Sequence, residues 1–259
     1  VVVYRAGRRG GYSSCAFPHR FTLHHWSIMT HRTFKVSIAL NLLCLALGLG
    51  AWVGPNVQTS FNPTIAKPVV YPNSIIHTMA SVMGSVELGQ RVFVAPFASI
   101  RGDEGQHIHI GDDSNVQDGV VIHGLETFDA GRDILENVVT VEGRKYSVYV
   151  GERVSLAHQS QVHGPVKIGN DTFVGMQSLI FRSELGDHVV VEPGAKVIGV
   201  SVPSHRYVPI MTVVTTQAQA DALPMITDQY AYRNLNHTIV HVNTQFADPQ
   251  TARRLSRGR

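Results

Sequence analysis

The chain has 259 residues, 44% of them apolar and 16% charged, enough for one sizeable hydrophobic core. Its net charge of +3 hides an asymmetry: residues 1–35 carry six Lys/Arg and no acid, while the other 16 Lys/Arg and all 19 acids leave the rest at −3. An acidic body excludes a nucleic-acid footprint. Cys15 and Cys44 both precede residue 50, so the body has neither a disulfide framework nor a Cys-ligated metal.

The basic leader, 1–35, runs into "VSIALNLLCLALGLGAWV", Val36 to Val53, which holds no charge. With "MTHRTFK" in front of it, the segment 36–54 reads as a signal peptide or an uncleaved membrane anchor. Either reading implies export, to the periplasm or beyond. The stretch before Met29 reads as upstream sequence, and "NLLC" is a poor lipobox.

From Val82 onward an aliphatic residue recurs every sixth position. Val82, Leu88, Val94 and Ile100 form one comb, with Val86, Val92 and Ala98 beside it. The comb resumes at Ile110, Val116 and Ile122, returns as Val150, Leu156, Val162, Ile168, Val174 and Ile180, then shifts by one to Leu185, Val191 and Val197. An amphipathic strand has a period of two and no preferred sixth place. The expected fold is therefore mainly β: a parallel β-helix in which three hexads close one triangular coil, and coils stack about 4.8 Å apart. It is expected over 63–210, with caps at its ends because no coil buries its aliphatics alone. Between Ile122 and Val150 the comb breaks, which predicts an excursion loop over 124–148. Residues 211–259 are expected to form a helical cap and a basic tail. Helices are predicted in "TQAQADAL" and across Asp228–Phe246, where Tyr232, Leu235, Ile239, Val242 and Phe246 share a stripe.

Histidines give the comb a chemistry. His123 follows Ile122 and His163 follows Val162, so both occupy the same outward place in their hexads and can stack on neighbouring coils. His158 belongs to the preceding hexad and lies around a corner. It joins the other two only if a second subunit presents that face. The simplest closure for such mutual sharing is a trimer.

The segments "ASIRGDEGQHIHIGDDSNVQDGVVIHGLE" (98–126) and "YSVYVGERVSLAHQSQVHGPVKIGNDTFVGMQ" resemble the γ-class carbonic anhydrases, above all the archaeal type, and the related carboxysome-shell domain. The likeness runs from about Pro63 to Ala247 and includes "VVTTQAQADALP" and "DQYAY". It implies a left-handed coil and a homotrimer. In that trimer His123 and His163 of one subunit and His158 of the next bind Zn2+, with Fe2+ or Co2+ as alternatives. Three neutral imidazoles leave a position open for water, whose pKa the metal lowers to about 7; carbonic anhydrase is the standard example of this effect. The hydroxide so formed attacks carbon dioxide, and bicarbonate leaves. By the same resemblance Glu126 is the proton shuttle and Glu104 the carboxylate beside metal-bound solvent. Gln117 orients the hydroxide, and Asn115 and Asn243 are further polar members. Arg101 and Asp103 form an intersubunit ion pair. Asp118 and Gln159 are read as partners that fix a histidine tautomer. At His241 the archaeal type usually has tyrosine.

Two other classes compete. A non-catalytic scaffold or bicarbonate-binding module shares the family's architecture, but Glu104 and Glu126 together argue for an enzyme. A hexapeptide acyltransferase shares the prism but needs one catalytic histidine and an acyl-carrier groove.

Overall fold

The computed structural model describes residues 51–248. The basic leader, most of the apolar run and the tail "RRLSRGR" lie outside the described residues.

Three parallel sheets form the sides of a prism, and the chain visits them in turn. Face 1 has eight strands, Trp52–Gly54, Ser81–Gly84, Ser99–Gly102, Val121–His123, Gln161–His163, Leu179–Phe181, Lys196–Ile198 and Val213–Val214. Face 2 stacks Val69–Val70, Val86–Leu88, His107–Ile110, Arg144–Val150, Val166–Ile168, Glu184–Leu185 and Ser201–Val202. Face 3 runs from Ile75–Ile76 through Phe93–Val94, Asn115–Val116, Ser155–Leu156, Phe173–Val174 and Val190–Val191 to Tyr207–Val208.

The comb is the core. Leu88, Ile100, Ile110, Ile122, Leu156, Ile168 and Ile180 are all fully buried in one continuous cluster. Register is set by these inward residues, because a slip of one position would turn every aliphatic outward. Shortening one of them should therefore be costly. Leu156→Ala, at the middle of the stack, is expected to destabilise by about 2–5 kcal/mol, read as a lowered unfolding midpoint in denaturant.

The prism begins earlier than the hexad pattern suggests. Trp52–Gly54 pairs in parallel with Ser81–Met83, so the last residues of the apolar run belong to face 1 and the boundaries at 54 and 63 move back. The pairing gives an otherwise bare edge of backbone donors and acceptors a partner. Among the described residues no helix is long and apolar enough to cross a membrane. At the other end the comb extends to Val213–Val214.

Two helices finish the fold. α1, Gln217–Asp221, opens with a capping box between Thr216 and Gln219. It places Ala220, followed by Leu223, in the core cluster at the end of the prism. α2, Leu235–Ala247, begins later than the stripe from Asp228 predicts. The segment before it is turned, held by Tyr230 stacking on Tyr207 at 4.1 Å and donating to Glu192 Oε1 at 2.8 Å. α2 packs along face 3: Leu235 and Ile239 meet Ala157, Phe173 and Val190, and Phe246 reaches Phe93 at 5.3 Å. Val242 and Phe246 stay largely exposed despite lying on the stripe.

The excursion is ordered rather than open. It holds a short hairpin, Phe128–Asp129 with Arg132–Asp133, a 3-10 turn at Leu135–Asn137, and Val139–Val141 paired antiparallel with Arg144–Tyr146. The chain re-enters face 2 with Val148 beside Ile108 and Val150 beside Ile110.

Candidate metal centre

His123 and His163 stand directly opposite each other on adjacent strands of face 1, and Arg101 is the partner of His123 on the other side. Their inward neighbours Ile122 and Val162 are buried, which turns the imidazoles outward. The two rings meet edge to face with centroids 5.3 Å apart. His163 Nδ1 lies 3.3 Å from the Gly164 carbonyl; donation there leaves Nε2 as the ring's free acceptor. Burial also pushes the His163 imidazolium down, toward the neutral form a metal requires.

The "RGDEG" turn closes over this pair. His123 Nε2 is 3.0 Å from Asp103 Oδ1 and 3.3 Å from Glu104 Oε1. Asp103, Glu104 and His123 bring one ligand atom each within 4.8 Å of one another. The hydrogen bond to His123 holds the Asp103 carboxyl below its ordinary range, against the opposing effect of burial. Glu104 moves the other way: desolvation raises it, against the attraction of His123. Arg101 and Asp103 pair within the chain, at 3.1 Å, where the resemblance puts them on different subunits.

His158 is elsewhere. The chain rounds the corner from face 3 to face 1 at His158–Gln159, with Gln159 in the left-handed region at φ 60°. The His158 side chain is 55% exposed, and its Nδ1 sits 3.1 Å from Asp118 Oδ2. Asp118 is thus within hydrogen-bond reach of the His158 ring. Gln159 does not turn to a ring; its Oε1 accepts from Gln177. The reason is its left-handed backbone, which points the side chain along the corner toward the equivalent residue of the next coil.

The remaining polar members gather on His158's side. Gln117 Nε2 donates to Asn115 Oδ1, and Asn115 Nδ2 donates to Ser155 Oγ, each at 2.9 Å and all three buried. Gln117, Asp118, His158 and Asn243 line one cleft of about 420 Å³ between face 3 and α2. Asn243 spends its Nδ2 on the Ile239 carbonyl within the helix. His241 is exposed on α2 beside Gln245.

Within one chain these residues form two separate groups. His123, His163 and Arg101 lie on face 1, with Asp103 and Glu104 in the turn that follows it, and His158, Asp118, Gln117 and Asn115 lie on face 3 and the corner after it. Glu126 sits exposed just beyond His123, near enough to Glu104 for its charge to raise that carboxyl further.

Some supporting residues have no pattern in the sequence. Asn62 Nδ2 donates to the Asp103 carbonyl, and Asn56 holds its loop by accepting from Ala66 N and donating to the Thr64 carbonyl. Fully buried Thr127 donates to the Glu104 carbonyl and accepts from Gln106 N. Gly102 allows the coils to close here: a Cβ on it would fall 2.3 Å from the Ser85 carbonyl oxygen.

The chain that carries these residues has relatives among known proteins. The chain is 52% identical over 194 residues to the carbonic anhydrase of Methanosarcina thermophila, covering 74% of this chain and 78% of that one. The chain belongs to the γ-class carbonic anhydrase family. It is also 37% identical over 185 residues to the carboxysome assembly protein CcmM of Nostoc, of which it spans about a third (32%) and which covers 71% of this chain. No family model matches the sequence. Among solved structures, a hexapeptide transferase family protein from Anaplasma phagocytophilum superposes with a TM-score of 0.52 at 19% identity, covering 70% of this chain and 92% of that one. That likeness concerns the fold alone.

Proposed function

We propose that this member of the family catalyses the reversible hydration of carbon dioxide to bicarbonate, at metal centres shared between the subunits of a homotrimer. The observation that carries this reading is the separation of the three histidines into two groups. His158 faces solvent in its own chain, while His123 and His163 form a pair without it. Each centre takes His123 and His163 from one subunit and His158 from the next.

The donor set fits a divalent ion. Donation from His163 Nδ1 to the Gly164 carbonyl and from His158 Nδ1 to Asp118 leaves each Nε2 available to an ion, and the described residues hold no cysteine. Zn2+ suits three imidazoles, with Fe2+ or Co2+ as alternatives. When bound, such an ion supplies Lewis acidity that makes a nucleophile of water at neutral pH.

The chain's own residues do the rest. Gln117, held through Asn115 and Ser155, keeps its Oε1 as a fixed acceptor in the cleft. Glu104, 3.3 Å from His123, stands where it can take a proton from the centre and pass it toward Glu126. Glu126, exposed, delivers it to solvent buffer.

Likeness to the carboxysome assembly protein favours a second reading, a non-catalytic bicarbonate-binding scaffold. Metal analysis with stopped-flow hydration separates the two. About one divalent ion per subunit is expected, with turnover lost on chelation and regained on reloading. One ion per three chains, or none after careful loading, rejects the centre; full loading without turnover favours the scaffold. Export is proposed from the basic and apolar leader, and locating the tagged full chain in cell fractions tests it.

A further inference from the structure

We infer that Arg182 and Asn137 are a positioning pair for Glu126. The inference rests on the reading of Glu126 as the group that carries the proton to solvent. Such a side chain needs free rotation, so that it reaches both Glu104 and bulk buffer. It also needs a fixed pivot, because drift of its backbone by an ångström would take the carboxylate out of range of the reacting centre.

The peptide group that leaves Glu126 is held at both of its polar atoms. Thr127, next in sequence, uses its backbone N–H and its hydroxyl to donate to the Glu104 carbonyl, at 2.9 and 2.7 Å. At the other end of that peptide group Asn137 Nδ2 donates to the Glu126 carbonyl at 2.8 Å. Asn137 closes the 3-10 turn of the excursion. Its Oδ1 accepts from Arg182 Nη1 at 3.2 Å, while Arg182 Nη2 reaches the Glu136 carbonyl at 3.4 Å.

Arg182 belongs to the prism. It follows Phe181, whose ring stands 5.5 Å from that of His163, and its own N–H donates to the His163 carbonyl at 3.3 Å. The brace therefore ties the Glu126 main chain to the coil stacked directly on His163, leaving the carboxylate untouched. A guanidinium suits this task because its planar fork serves the amide oxygen and the carbonyl together.

The test uses Arg182→Ala, Arg182→Lys and Asn137→Asp, with Glu126→Ala beside them. Asn137→Asp keeps an acceptor for Arg182 but removes the donor to Glu126, so it cuts the brace with the least disturbance of the fold. In weak buffer, Arg182→Ala and Asn137→Asp are expected to lower kcat about three- to tenfold while kcat/KM for carbon dioxide stays within about twofold. Added imidazole should restore kcat, and Arg182→Lys should fall between wild type and Arg182→Ala. In metal-free protein, amide exchange across 124–138 should quicken in both brace variants. Unchanged kcat in both, beside a Glu126→Ala variant that shows the imidazole-rescued loss, overturns the positioning role and leaves the shuttle intact. Equal falls in kcat and kcat/KM without rescue make the contacts merely structural and also overturn it. A Glu126→Ala variant with normal kcat removes the shuttle reading on which the pair depends.

Discussion

Co-folding equal amounts of His123→Ala and His158→Ala subunits is expected to restore about a quarter of wild-type carbon dioxide hydration, although each variant alone is inactive. Each substitution removes one ligand from every centre of its own trimer. In a mixed trimer, a His158→Ala subunit still offers the His123–His163 pair. The adjacent His123→Ala subunit still offers His158. Random assembly makes about three quarters of the trimers mixed, and a closed ring gives each of these one intact centre in three. The structure supports the premise: within a chain His158 is turned to solvent at the corner after face 3, while the other two histidines stand side by side on face 1. A centre built within one chain would return nothing. Mixing after folding should also return nothing unless subunits exchange, so persistent inactivity of co-folded, verified mixed trimers would refute the shared centre.

Glu126→Ala should lower kcat in weak buffer by about ten- to a hundredfold, the usual weight of a positioned proton-transfer group. The value of kcat/KM for carbon dioxide should stay close to wild type, because the step served by Glu126 follows the formation of bicarbonate. A small buffer such as imidazole should restore turnover by carrying the proton itself. Glu126 is exposed and its backbone is held by neighbours, so removing its carboxylate leaves the fold unstrained. Parallel losses in kcat and kcat/KM, with no response to buffer, would reassign Glu126 to hydration of carbon dioxide.

The prism was legible in the sequence because its cause is periodic. An inward aliphatic at every sixth place is a local demand repeated coil after coil, so Ile100, Ile122 and Val162 announce their own register. The matching positions of His123 and His163, and the separation of His158 from them, follow from the same count. Resemblance added the roles of Glu104, Glu126 and Gln117, which spacing alone does not assign.

Tertiary structure alone decided what joins these residues. Asn62 reaches the Asp103 carbonyl across 41 positions, and Arg182 reaches Asn137 across 45. Neither contact has a period, since each depends on where an excursion folds back against a coil. The same holds for Trp52–Gly54, whose apolar residues read as the end of a hydrophobic leader until the open edge of face 1 gives them strand partners. It holds for the start of α2 as well, where Tyr230 stacking on Tyr207 sets the turn that precedes the helix. Repetition writes a coil into the sequence, whereas contacts between distant, unrepeated segments exist only once the coils have been stacked.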